Sequence, residues 1–216
     1  MPERRPPETI LFATRNRGKL DELRALLGAE GFRLLGLADL GAPPPEVEET
    51  GRTFVENALL KARAASRASS LPCVADDSGL EVDALGGRPG VHSARYAGPG
   101  ASDAERVARL LAELQGIPPA DRTARFRCAV AYVRPDDPEH PLVCEGSCEG
   151  RILDAPRGQG GFGYDPVFFV AEIGQTFAEA AAAVKNQLSH RGAAMRQLAA
   201  HLRRRRGSPP GEASER

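Results

Sequence analysis

The apolar and polar positions near the start of the chain predict a strand followed by a helix. Residues 10–14 form a short apolar run, and leucines recur at helical spacing through residues 20–27. The polar segment at residues 15–19 lies between them, and its Asn16 is a typical helix N-cap. Because the first N–H groups of a helix lack partners within it, this loop is suited to binding an anion.

Three pairs of Ser or Thr with Glu three residues later predict further helix starts, because each pair can form a capping box. The pairs are Thr53 with Glu56, Ser102 with Glu105 and Thr176 with Glu179. We expect Asn57 and Lys61 to share one face of the first of these helices. The alanine-rich helix after Thr176 is predicted to run through Lys185, and Ser189 is predicted to cap a last helix.

Extended segments alternate with these helices along the chain. Residues 73–75 form a short apolar strand that leads into Asp76 and Asp77, so we place both aspartates at a strand end. In residues 126–133 the alternate positions Phe126, Cys128, Val130 and Tyr132 share one face, and residues 142–153 form a second long extended stretch. We predict that these two strands pair antiparallel.

Length and composition favour one compact unit in the cytoplasm. The 216 residues are 41% hydrophobic, enough for a sizeable core. No apolar run approaches the ~20 residues needed to span a bilayer, so we expect no membrane partner. The four cysteines form no CxxC pair and are expected to be buried, reduced thiols. We predict a domain at residues 9–203, with a disordered extension at 1–8 and a disordered tail at 204–216.

The charged residues are unusual in kind. The 29 basic and 29 acidic residues balance, which argues against a nucleic-acid partner. Only Lys19, Lys61 and Lys185 are lysines, and each lies within four residues of one of the three asparagines. A compact ammonium meets phosphate as a point charge, which a planar guanidinium does not reproduce. We therefore predict that the three lysines contact a ligand.

Two glycine-containing segments resemble nucleotide-binding motifs but fail their tests. A Walker motif needs Gly where the chain has Ala13 and Ser or Thr where it has Leu20. The GxGxxG match that ends at Gly163 is followed by the stretch 164–169, whose proline and aromatics do not begin a helix. A loop that delivers aromatic and acidic side chains to a pocket remains possible beside a simple tight turn.

The acidic pairs Asp76–Asp77 and Glu48–Glu49 are the kind of oxygen donors that Mg²⁺ takes when it bridges to phosphates. Acidic pairs are common in solvated loops, so these two pairs indicate a Mg²⁺ site only when the three lysines are considered with them. A Ser-His-Asp triad of Ser78, His190 and Asp77 lacks the Gly-x-Ser-x-Gly elbow and is rejected.

Six segments, in this order and spacing, resemble the inosine triphosphate pyrophosphatase family from about residue 10 to residue 202. They are residues 14–19, 48–51, 54–61, 75–79, 161–166 and 189–192. The resemblance implies an α/β fold with a long central mixed sheet, flanking helices, two lobes and a cleft between them, assembled as a homodimer. It implies Mg²⁺-dependent hydrolysis of ITP, dITP and XTP to the monophosphate and pyrophosphate.

The resemblance also implies a role for individual residues. Asp77 is the proton acceptor, and Glu48 and Asp77 hold Mg²⁺. The implied substrate-binding residues are Thr14, Arg15, Asn16, Arg17, Gly18, Lys19, Lys61, Ser78, Phe162, Gly163, Tyr164, Asp165, Lys185, His190 and Arg191. One departure concerns the acidic residues that the family often carries before the third lysine, since Ala183 and Val184 stand there. Base selectivity is the property that this change affects.

Two other functions fit the same residues. One is a pyrophosphatase for modified pyrimidine triphosphates, which a substrate panel with dUTP and 5-methyl-UTP separates from the first. The other is a nucleotide-sensing module that binds without turnover, which the absence of hydrolysis by the unaltered protein would indicate.

Overall fold

The computed structural model describes residues 8–27, 31–42, 44 and 47–207. This part of the chain contains seven strands and five α-helices. The strands are β1 (Thr9–Phe12), β2 (Arg33–Gly36), β3 (Cys73–Val82), β4 (Thr123–Arg134), β5 (Asp137–Ile152), β6 (Phe168–Val170) and β7 (Gln175–Thr176). The helices are α1 (Arg17–Leu27), α2 (Phe54–Ser69), α3 (Asp103–Glu113), α4 (Ala182–Leu188) and α5 (His190–Gly207).

One mixed sheet contains all seven strands in the order β2-β1-β3-β4-β5-β6-β7. Strand β1 pairs parallel with β2 and β3, and every other pair is antiparallel. The predicted antiparallel pair is confirmed as β4 and β5, which are the two longest strands. The predicted α/β class with a mixed central sheet flanked by helices is therefore confirmed.

Strand β3 crosses from one apolar core to another, and its polar residues lie between them. On one face of the sheet Val74 packs in a core with α1 and α5, whereas Leu80 packs in a second core with α3 and β6. Asp76 and Ser78 occupy the intervening positions of the same face, because side chains in a strand alternate. A cleft between two cores is the two-lobed arrangement that the resemblance implies.

The predicted helix starts are confirmed at Thr53 and Ser102, where both bonds of the capping box form. The start predicted at Thr176 is wrong. Thr176 and Glu179 do exchange capping bonds, but the next two amides bond outside a helix, Phe177 N to Phe168 O of β6 and Ala178 N to Asp165 O of the loop before it. The backbone there is committed to β6 and the loop before it, so α4 begins only at residue 182.

The ends of the chain refine the predicted domain bounds. Helix α5 continues through Gly207 and includes residues 204–207, which the sequence placed in the tail. Residues 1–7 and 208–216 lie outside the described residues, so the predicted disorder there stays a prediction. All four cysteines are buried and free, as predicted. Within the described ranges, every helix is too short or too polar to cross a bilayer.

Gly146 of β5 lies directly against the start of α5. A Cβ atom at this position would lie 2.2 Å from the carbonyl oxygen of His190 and 2.9 Å from Ala194 N. Any side chain would push α5 away from the sheet, because backbone atoms cannot move aside as a flexible side chain does. Gly146 therefore fixes the distance at which α5 presents its first residues to the cleft.

We expect Gly146→Ala to lower the free energy of unfolding by about 1–3 kcal/mol, the usual effect of overpacking a core. Urea denaturation followed by circular dichroism measures this change. Gly41→Ala is the matched control, since a Cβ at Gly41 would meet no atom of the described residues within 4 Å. Equal midpoints for the two variants would contradict the prediction.

Candidate active site in the cleft

The adjacent carboxylates Asp76 and Asp77 lie in the middle of β3, not at a strand end as predicted. All ten residues of β3 pair with β4, so the strand continues through the aspartates to residue 82. On its other edge β3 pairs with β1 only at Cys73 and Val74. The aspartates therefore follow the point where the parallel neighbour ends, and they point to opposite faces of the sheet.

Asp76 accepts bonds from two cations on the face that carries α1 and α5. Its Oδ2 atom lies 2.8 Å from Lys19 Nζ and 3.2 Å from Arg191 Nε. Burial alone would raise the pKa of Asp76, but the charges of Lys19 and Arg191 outweigh burial and lower the pKa. Asp76 is therefore a buried anion that orients two basic side chains.

Asp77 lies on the opposite face, against α2. Its Oδ1 atom accepts a bond of 3.1 Å from Lys61 Nζ, and its Oδ2 atom accepts one of 3.1 Å from Asn57 Nδ2. Burial raises the pKa of Asp77, and the nearby charge of Glu49 adds to this, against the opposing effect of Lys61. Asn57 is a site residue that the motifs did not predict, although its spacing of four from Lys61 placed both on one helix face.

The structure places Glu49, not Glu48, beside Asp77 and Lys61. Lys61 Nζ donates to Glu49 Oε1 at 2.8 Å, whereas Glu48 is exposed. Burial alternates along residues 47–50, so neighbouring side chains of this segment face opposite ways. The implied role of Glu48 as a metal ligand stays a prediction, and the carboxylate that contacts Lys61 here is that of Glu49. Burial lowers the pKa of Lys61, but the charges of Asp77, Asp76 and Glu49 outweigh it and raise the pKa.

The third lysine lies at the other end of the cleft, beside the glycine-containing loop. Lys185 Nζ donates to Asp165 Oδ2 at 2.7 Å and lies 4.4 Å from the centre of the Phe162 ring. Burial raises the pKa of Asp165, against the lowering effect of the Lys185 charge. Phe162 also approaches Gly18, because a Cβ there would lie 3.4 Å from the ring. The ring therefore borders both the α1 loop and Lys185.

Glu22 of α1 lies between Arg191 and Lys185. Its carboxylate accepts from Arg191 NH1 at 2.7 Å and lies 3.7 Å from Lys185 Nζ. Charges consequently alternate from Asp165 through Lys185, Glu22 and Arg191 to Asp76. The motifs do not predict Glu22; the available signal is its spacing of three from Lys19, which places both on one face of α1.

The other predicted residues occupy distinct places. Asn16 caps α1 by accepting from Lys19 N at 3.2 Å, and Arg15 and Arg17 are exposed. Ser78 Oγ accepts from Arg191 NH2 at 2.9 Å. Tyr164 belongs mainly to the second core, and its hydroxyl donates to Ser93 O at 2.9 Å.

His190 is the first residue of α5, and Ser189 caps the helix by accepting from Gly192 N at 3.1 Å. The imidazole stacks on Phe126 with the ring centres 4.7 Å apart, and it lines the cleft. Within the described part of the chain its Nδ1 atom has no hydrogen-bond partner although it is buried. Burial and the charges of Arg191 and Lys185 lower the pKa of His190 well below its ordinary value. The ring is therefore neutral at physiological pH.

We expect the NMR signals of His190 to keep the neutral position through pH 6 in the folded protein. His140, which is exposed beside Asp137, is the internal control, because that carboxylate raises its pKa. The unfolded chain protonates histidine near pH 6.5. Stability should therefore fall as the pH falls below about 6.5, because the unfolded state binds the additional proton. A His190 signal that titrates together with that of His140 would contradict this prediction.

The cleft contains two connected parts. One part is lined by Phe162, Asp165, Lys185 and His190. The other is lined by Thr14, Glu49 and Lys61, and both parts share Asn16 and Lys19. Across the described residues, no three His, Cys, Asp or Glu side chains form a metal-binding group. The arrangement can hold a flat ring at one end and a polyanion at the other.

Comparisons with known proteins place this chain beside a described family. Residues 10–201 match the model of the Ham1 family. The dITP/XTP pyrophosphatase of Geobacillus kaustophilus is 55% identical over 88% of this chain and 91% of its own length. The protein of the same name from Methylococcus capsulatus is 54% identical over 90% of this chain and 96% of its own.

Solved structures show the same fold. The HAM1 protein of Coxiella burnetii superimposes with a TM-score of 0.83 at 44% identity, over 90% of this chain and 98% of that one. The nucleoside-triphosphatase, or dITP/XTP pyrophosphatase, of Mycobacterium abscessus superimposes with a TM-score of 0.71 at 46% identity, with the same coverage.

Proposed function

This chain belongs to the Ham1 family, and we propose that it is a pyrophosphatase that hydrolyses non-standard purine nucleoside triphosphates such as dITP, ITP and XTP. One observation carries the proposal. All three lysines of the chain pair with carboxylates along one cleft, Lys19 with Asp76, Lys61 with Asp77 and Lys185 with Asp165.

The triphosphate binds at the end of the cleft that contains Lys19 and Lys61. The N-terminus of α1 adds the partial positive charge of its first amides, and Asn16 holds that helix start in place. The base binds at the other end, where the Phe162 ring offers a stacking surface. The two connected parts of the cleft thus suit a nucleotide with its base in one and its phosphates in the other.

The residues around Asp77 fit a bound Mg²⁺. Asp77 and Glu49 both contact the Lys61 ammonium, at 3.1 and 2.8 Å, so their oxygens already converge on one cation. Mg²⁺ commonly takes one or two carboxylates and completes its coordination with water and substrate phosphates, so a third protein carboxylate is not needed. When bound, Mg²⁺ would neutralise phosphate charge and stabilise the pyrophosphate leaving group.

Asp77 orients and deprotonates the attacking water. Burial raises its pKa, which makes the carboxylate a stronger base than an exposed aspartate. The water oxygen attacks the α-phosphorus, its proton passes to Asp77, and the bond to the bridging oxygen breaks. Lys19 and Lys61 stabilise the charge that develops on the departing pyrophosphate.

Base selectivity follows from the donors at the other end of the cleft. Lys185 and Arg191 are cations near the Phe162 ring, at 4.4 and 5.5 Å from its centre, and they can donate to the 6-oxo group of hypoxanthine or xanthine. An adenine amino group cannot accept these bonds, and a buried donor without a partner costs about 1–3 kcal/mol. Triphosphates with a 6-oxo purine are therefore preferred over ATP.

The test is to incubate the protein with Mg²⁺ and ITP, dITP, XTP, GTP, ATP, dUTP or 5-methyl-UTP, and to identify the products. The proposal expects monophosphate and pyrophosphate, released fastest from the non-standard purines. Release of orthophosphate alone would contradict it, a preference for the pyrimidines would support the pyrimidine alternative, and binding without hydrolysis would indicate a sensor. We also propose that the protein acts in the cytoplasm as a homodimer, which light scattering of the purified protein tests.

A further inference from the structure

The loop that carries Phe162 is held by a carboxylate from outside the predicted motifs. Phe162 N donates to Asp165 Oδ2 at 2.8 Å, and the next amide, Gly163 N, donates to Asp103 Oδ2 at 2.6 Å. Gly163 has a positive φ of 63°, a conformation that glycine adopts without strain. The backbone beside the Phe162 ring is therefore held by two acids, Asp165 and Asp103.

Asp103 is suited to this task by its place in α3. It is the first residue of the helix and follows the N-cap Ser102, whose own bonds go to Glu105. Its other oxygen, Oδ1, accepts from Arg106, and Arg106 NH1 donates in turn to Ala94 O at 2.5 Å. Asp103 and Arg106 thus tie the Phe162 loop to the segment before α3.

The three tied segments border the same part of the cleft. Asp103, Arg106, Ala94 and Gly163 all line the end that holds Phe162 and Lys185. Tyr164 adds a second tie, since its hydroxyl donates to Ser93 O. That tie anchors the loop beyond Gly163, whereas Asp103 acts on the amide adjacent to Phe162.

We propose that Asp103 is a positioning residue that sets the Phe162 ring at the height where it stacks on the base; this rests on the proposed function. A charge-assisted hydrogen bond to one amide restrains the two residues that it joins. Without it, the loop has to be ordered when the nucleotide binds, and that entropic cost weakens binding. Chemistry at Asp77, in the other part of the cleft, is unaffected once the substrate is bound.

The kinetic test compares Asp103→Ala, Asp103→Asn and Ser102→Ala with the unaltered protein. We expect Asp103→Ala to raise the KM for ITP about tenfold and to change kcat less than threefold. Asp103→Asn keeps an oxygen that can accept from Gly163 N, so its KM should lie close to that of the unaltered protein. Ser102→Ala removes the N-cap of the same helix without touching the loop, so its KM should stay normal. Equal KM values for Asp103→Ala and Ser102→Ala would overturn the proposal.

A second measurement does not depend on which nucleotide is hydrolysed. In the ligand-free protein, hydrogen exchange measured by mass spectrometry should be about tenfold faster across residues 161–165 in Asp103→Ala than in Ser102→Ala. Unchanged exchange there would overturn the role of Asp103. If the unaltered protein hydrolyses no triphosphate but the exchange result holds, the proposed function fails while the role of Asp103 in ordering the loop stands.

Discussion

Asp77→Asn is expected to lower kcat for ITP about a thousandfold, within the range that a general base contributes. The amide keeps the shape of the carboxylate, and its oxygen can still accept from Asn57 or Lys61. It lacks the negative charge needed to take a proton from water or to hold a divalent cation. Steady-state kinetics with pyrophosphate detection measures the loss.

Binding separates this effect from misfolding. Calorimetric titration with IMP should give a similar affinity for Asp77→Asn and for the unaltered protein, because the base lies at the other end of the cleft. Asp121→Asn, an exposed change of the same kind, should leave kcat unchanged. A normal kcat for Asp77→Asn would show that another group accepts the proton.

Arg191→Ala is expected to lower the free energy of unfolding by about 3–5 kcal/mol, the usual result of breaking a buried charge pair. Arg191 contacts Asp76, Glu22 and Ser78, and its side chain is 3% exposed. Removing it takes a partner from the buried carboxylate of Asp76 and from the partly buried carboxylate of Glu22. Urea denaturation measures the change. Arg191→Lys should lower the free energy of unfolding less than Arg191→Ala does, because lysine keeps the positive charge.

Arg109→Ala is the matched control for this prediction. Arg109 forms an ion pair with Glu113 one helical turn away and is 51% exposed. Exposed pairs of this kind contribute about 0.3–0.5 kcal/mol. If Arg191→Ala were no more destabilising than Arg109→Ala, the buried network would not stabilise the fold.

Local patterns were sufficient to locate the main elements. The leucines of α1, the capping boxes at Thr53 and Ser102, and the alternation in β4 each depend on contacts within a few residues. The start predicted at Thr176 failed for the complementary reason. Its capping bonds form locally, but hydrogen bonds from the next amides to distant carbonyls prevent the helix from starting there.

Some site residues were likewise predictable from local sequence, whereas their partners depend on tertiary contacts. The pairing of the scarce lysines with asparagines was visible in the chain and pointed to Lys19, Lys61 and Lys185. Which carboxylate each lysine meets depends on residues as many as 57 positions away, as for Lys19 and Asp76. The roles of Glu22 and Asp103 are likewise set by contacts between elements that are distant in sequence.

The sequence by itself determined the helix starts at Thr53 and Ser102 and the set of charged residues available for catalysis, because these follow from composition and short-range periodicity. The fold class came from the resemblance of six segments to a known family. Only the tertiary structure decided that Asp76 and Asp77 face opposite sides of one continuous strand, and that Glu49 contacts Lys61 beside them. Both results depend on which strands pair and which face each helix covers. Strand pairing and helix placement depend on packing across the sheet, which a short stretch of sequence does not determine.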